Sequence, residues 1–147
     1  MPQTKKELQA QGKKNRAAGV RFEAKVREDL ERMGWTVDKW TNTVDYERLK
    51  VVPAKRKYNP FKKVMVIGTG FPDFVAFRKN EKGYEVIGVE VKRKGYLDQS
   101  EKSMCEWLLL SKTFARILVA RAQLVGRKIE VVYEDFTKKY AKKSNKA

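Results

Sequence analysis

Residues 73–92 leave this chain few options. Asp73-Phe-Val-Ala-Phe-Arg78 reads as one strand, Asn80-Glu-Lys-Gly83 as a hairpin turn, and Tyr84 to Lys92 as a second strand. Side chains alternate along extended chain, so Ile87, Val89 and Val91 share one face while Gly88, Glu90 and Lys92 share the other. A one-residue slip would exchange the two sets, and the pattern therefore holds its own register. Pro72 stands at the strand entrance, where it cannot donate to the ladder. Gly68 and Gly70 let the preceding chain turn sharply and predict room for a ligand to approach, and Gly88 predicts room above the sheet. Pairing through the 80–83 turn leaves Asp73 at the open end of the hairpin, near Glu90 and Lys92.

The remaining pattern builds a sheet with helices around it. Phe22, Val26, Leu30 and Met33 recur at helical spacing, with Gly34 placed to end the helix. Trp35 to Trp40 alternates as a half-buried strand, and Val64 to Ile67 reads as a short strand edge. A helix is predicted from about Gln99 to Leu110, with Asp98 and Glu101 in capping-box spacing. Arg116–Arg121 and Lys128–Tyr133 predict two further strands. The expected order is αβββαββ, an α/β fold with a mixed central sheet flanked by helices. Residues 1–18 read as a basic extension, frayed or partly helical, and 19–136 as a single domain with a basic loop insertion at 41–63. Residues 137–147 read as a basic tail.

Composition narrows the chemistry. A net charge of +16 on 147 residues repels itself in a compact state, and a polyanion such as nucleic acid relieves it. The chain has no histidine, which removes His-based acid–base catalysis and Ser-His-Asp triads. Its one cysteine, Cys105, excludes disulfide frameworks and Cys-rich metal sites within one chain, and its apolar helical surroundings predict a core position. No apolar run approaches the length needed to span a bilayer and the N-terminus lacks a signal-peptide pattern, so the expected location is cytoplasmic, without a membrane partner. What remains for hydrolysis is carboxylates holding a hard cation, helped by lysine.

Asp73 and Glu90 are the candidate acids, with Lys92 beside them to orient an attacking water or to neutralise charge on a phosphate. Glu-x-Lys on a strand is also the ordinary pattern of a surface ion pair. The stretch 41–63 interleaves Lys55, Arg56, Lys57, Lys62 and Lys63 with Tyr46, Tyr58 and Phe61. Such a loop suits a nucleic-acid backbone and its bases, and suits a solvated insertion equally.

Pro72-Asp73, a hairpin, then Glu90-Val91-Lys92 resembles the signature of the PD-(D/E)XK nuclease superfamily, with its restriction-endonuclease-like fold. Within it the chain is most similar to small archaeal Holliday-junction resolvases, from about Gly19 to Ala122, with Arg21-Phe22-Glu23 standing where their first helix carries a glutamate. The resemblance implies a metal-dependent endodeoxyribonuclease: Glu23, Asp73 and Glu90 binding Mg²⁺ or Mn²⁺, Lys92 assisting attack, and Gln99 as a further candidate that helix-start polarity explains as well. It also implies action on branched or duplex DNA as a homodimer, with no small-molecule cofactor beyond the metal. On pattern alone Glu23 is a helix-surface acid paired with Arg27. Arg21, Arg93 and Lys94 join the basic residues of the insertion as candidate nucleic-acid contacts. The insertion and the lysine-rich termini exceed a minimal resolvase, which keeps two other readings open. One is a repair, restriction or viral nuclease of the same fold; the other is a non-catalytic nucleic-acid-binding module.

Overall fold

The computed structural model describes residues 2–54, 56–59, 64–67 and 70–138, with 56–59 and 64–67 described as backbone alone. Gly68, Lys55, Lys62, Lys63 and the tail from 139 onward lie outside the described residues.

The first helix, α1 (Lys5–Arg32), is much longer than its apolar stripe predicts. Thr4 and Glu7 form a capping box, each satisfying the other's backbone N–H, which starts the helix within the stretch read as an extension. Lys, Gln, Glu, Ala and Arg dominate residues 5–18, and their high intrinsic propensity carries the helix where no packing does. Only Phe22, Val26 and Leu30 are buried. Met33 caps the far end and Gly34 follows at φ 93°, a left-handed turn that glycine takes at little cost.

Strands and a second long helix follow in chain order among the described residues. They are β1 (Thr36–Lys39), β2 (Asn42–Asp45), β3 (Lys50–Pro53), β4 (Arg56–Asn59), β5 (Val64–Ile67), β6 (Phe74–Asn80), β7 (Gly83–Val91), then α2 (Gln99–Leu110), β8 (Arg116–Val125) and β9 (Lys128–Asp135). Five strands form the main sheet in the order β1-β6-β7-β8-β9, antiparallel throughout except for the parallel β7–β8 pair. That one parallel step needs a long crossover, which α2 supplies.

Within 41–63, expected to be a loop, residues 42–45, 50–53 and 56–59 instead form strands outside the main sheet. β2 pairs with β3, and β4 pairs with β5 rather than with the central strands. The β2–β3 turn contains no glycine; the Asp45 carboxylate closes it by accepting from the N–H groups of Glu47 and Arg48, and Leu49 takes φ 52°. Val44 and Val51 of this hairpin pack on the α2 side of the molecule.

Two apolar layers sandwich the sheet. On one face Phe22, Val26 and Leu30 of α1 meet Val37, Phe74, Ala76, Ile87, Val89 and Ala120. On the other, Cys105 and Leu108 of α2 meet Phe71, Phe114, Ile117 and Phe136. The central strand β7 is covered on both faces, and Ile87 to Glu90 are all buried. Glu90 is thereby the only buried charged residue among the described residues, at 4% exposure.

Candidate functional site

The β6–β7 hairpin brings the two acids together by arithmetic. Asn80 pairs with Gly83 and Phe74 with Val89, so one further step of the same register sets Asp73 opposite Glu90. Side chains at directly opposed positions share a face. The ladder itself stops here: the Asp73 carboxylate takes the place of a backbone acceptor and receives the Val91 N–H at 2.8 Å. Its own carbonyl accepts from Trp40 at 2.9 Å, which ties it to the end of β1. Asp73 is thus held from two strands while its carboxyl lies beside that of Glu90.

The space expected beside Gly88 is filled. A Cβ there would stand 2.8 Å from Pro72 Cγ and 3.2 Å from the Phe114 ring, so glycine is required for Pro72 to seat and for Asp73 to follow it. The same holds at Gly70, where a Cβ would lie 2.5 Å from the Trp40 carbonyl oxygen; the close approach is made by the chain's own backbone rather than by a ligand. The face carrying Gly88 and Glu90 is therefore packed interior that opens only at Lys92.

The α2 helix supplies a residue that sequence reasoning assigned to capping alone. Glu101 makes the expected capping box with Asp98, and its second oxygen lies 2.6 Å from Lys92 Nζ. It also lies beside the Glu90 carboxyl. Contacts therefore run Asp73–Glu90–Glu101–Lys92. Gln99, two residues earlier, is exposed in the first turn of α2. The signal for Glu101 was the capping box itself: an N3 side chain folds back toward the helix start, and here the helix start faces the end of β7.

Electrostatics follow from burial and neighbours. Burial, reinforced by the hydrogen bond and negative charge of Asp73, pushes the Glu90 carboxyl up to about 11. Burial alone would lower Lys92, but the Glu101 carboxylate outweighs it and holds the ammonium above its usual range. Burial would likewise raise Glu101, but its bonds to Lys92 and the Asp98 N–H win and hold it low. Behind this group the Cys105 thiol is raised to about 12, first by burial and then by the nearby acids, so it is a core thiol rather than a nucleophile.

On the α1 side Glu23 and Asp73 line one cleft of ≈ 380 Å³, together with Arg16, Val91 and Arg93. The expected Glu23–Arg27 pair is absent: Arg27 turns instead to Glu31 at 3.1 Å and to the Val37 carbonyl at 2.9 Å. Glu23 is half-buried and has no ion pair among the described residues. Arg21, Arg93 and Lys94 are exposed. Of the candidate contacts in the insertion, Arg56 and Lys57 are described by their backbone alone, in β4, and Lys55, Lys62 and Lys63 lie outside the described residues.

Among the described residues no three His, Cys, Asp or Glu side chains converge as a ready-made metal cage. The donors nonetheless suit a hard cation: two neighbouring carboxyls need a proton or a cation between them, and Glu23 lines the same cleft as Asp73. No family model, curated protein or solved structure matches the chain. No helix among the described residues is long and apolar enough to cross a membrane.

Proposed function

We propose that the chain is a magnesium-dependent endonuclease that hydrolyses DNA phosphodiester bonds. The observation that carries this reading is the Asp73–Glu90 carboxyl contact at the mouth of a basic molecule, with Lys92 on the same face. The sheet's αβββαββ element order, with the two small hairpins as an insertion, supports the restriction-endonuclease-like form of the fold.

Asp73, Glu90 and Glu23 would hold the metal, which supplies polarisation of a phosphoryl oxygen and a bound water of lowered pKa. Lys92 stays protonated beside Glu101, so its part is electrostatic: it neutralises charge growing on the phosphate and does not abstract a proton. Glu101 positions that ammonium. The Val91 N–H fixes which way the Asp73 carboxylate points, and the packing of Pro72 against Gly88 excludes water from behind the pair.

The test is cleavage of labelled four-way junction, duplex, flap and single-stranded DNA with Mg²⁺ or EDTA. Asp73→Asn removes several kcal/mol of charge stabilisation, so cutting should fall by about 1000-fold or more while DNA binding persists. Wild-type rates in that variant would sink the assignment. Paired incisions across the junction, with a dimer by sedimentation, would extend the reading to junction resolution by two copies of the chain.

A further inference from the structure

Three adjacent clefts share their walls. The cleft at Glu23 and Asp73 shares Phe22 and Arg93 with a second, of ≈ 320 Å³, which also takes in Arg21, Lys25 and Arg127. That one shares Lys25 and Ile129 with a third, of ≈ 410 Å³, bounded by Arg32, Lys128 and Glu130. Together they form one groove beside α1, walled on the far side by the β7–α2 loop and the β8–β9 turn.

The charge along it is one-sided. Arg16, Arg21, Lys25, Arg93, Arg127 and Lys128 are all exposed, and none has an ion pair among the described residues. Asp29, in the third cleft, is already answered by Arg32 at 2.9 Å and by the Tyr133 hydroxyl at 2.7 Å. Acids without an ion pair among the described residues stand at the end that holds Glu23 and Asp73, with Glu130 at the other. A groove of this sign, ending at two carboxylates, is built for a polyanion that runs the length of the cations and meets the acids at one bond.

We propose that this groove carries one backbone strand of a DNA duplex into the site; the inference rests on the nuclease reading for what happens at the acidic end. Duplex is favoured because, among the described residues, none of the exposed tyrosines, Tyr46, Tyr84 and Tyr96, lines the groove, and the one aromatic that does, Phe22, is buried. Unpaired bases want aromatic platforms; a paired strand needs only its phosphates gripped. From Arg16 to Arg32 the helix advances about 24 Å, long enough to grip several successive phosphates of one strand.

The test measures binding in EDTA, where nothing is cut, by anisotropy of a labelled DNA duplex over a range of salt. Arg21→Ala/Lys25→Ala on one wall and Arg127→Ala/Lys128→Ala on the other should each lower the log–log salt slope by about 2 and weaken binding by tenfold or more. Lys79→Ala/Lys82→Ala, at the distant β6–β7 turn, should leave the slope alone. Equal losses from all three pairs, no loss from the groove pairs, or tighter binding of single-stranded DNA than of duplex would each overturn the proposal. Groove-dependent binding without cleavage in Mg²⁺ would leave the groove standing and remove the nuclease; cleavage with unchanged slopes would do the reverse.

Discussion

On the α2 side of Asp73 and Glu90 the charges answer one another: Glu101 holds Lys92 at 2.6 Å, the Glu90 carboxyl lies beside both neighbouring acids, and Pro72 and Phe114 close the space at Gly88. On the α1 side little is answered. Glu23 and Asp73 face a cleft of ≈ 380 Å³, and the cations beyond them have no carboxylate partners among the described residues. The first side is built to hold geometry and the second to receive something. A site that must fix two like charges in contact needs rigidity behind them and an incoming positive charge, then a phosphate, in front.

The largest expected effect comes from disturbing the shared element. Glu90→Gln should abolish metal-dependent cutting, by about 1000-fold or more. It should also stabilise the metal-free protein. Because burial and Asp73 raise Glu90 from 4.5 to about 11, the folded state holds a proton that the unfolded state releases. Stability from that proton is complete below 4.5 and drains away as pH rises toward 11. Metal-free wild type should therefore melt lower at pH 8 than at pH 5, the Gln variant should escape that fall by about 5 °C or more, and Mg²⁺ should restore only the wild type. Melting curves at the two pH values decide it; an identical pH response in both proteins contradicts the buried-acid account.

Next is the receiving side. Glu23→Gln should cost about 100-fold in cleavage, roughly 2.7 kcal/mol, without moving the melting temperature, because no ion pair joins Glu23 to the fold. A lowered melting point with intact activity would make it a structural residue. Gly88→Ala tests the opposite side: crowding Pro72 should cost about 2 kcal/mol of stability and displace Asp73, so that stability and activity fall together. Smallest is Gly12→Ala, in the unpacked first half of α1, where an added Cβ makes only an ordinary contact with Arg16 at 3.6 Å. It should stabilise α1 by up to about 1 kcal/mol and leave cleavage unchanged.

Local patterns were legible wherever one short segment carried its own signal. The bounds of α2, the 80–83 turn and the alternation of β7 all read directly, and the turn alone set Asp73 opposite Glu90. The first half of α1 was missed because apolar periodicity ends at Phe22 while capping and propensity continue to Lys5. The β2–β3 hairpin was missed because four-residue strands closed by an Asp45 turn lack the glycine signal that marks most hairpins.

Which acids stand on one sheet face follows from alternation and turn length, both properties of the local chain, and so the Asp73–Glu90 pair was fixed before any packing took place. Whether that face is open, and who stands across from it, depended on residues far away in sequence. Burial of Glu90, the seating of Pro72 against Gly88, the arrival of Glu101 at Lys92 and the loss of Arg27 from Glu23 all required α1 and α2 to dock on opposite sides of the sheet. Charge environments are sums over spatial neighbours, and those neighbours exist only once the layers have closed.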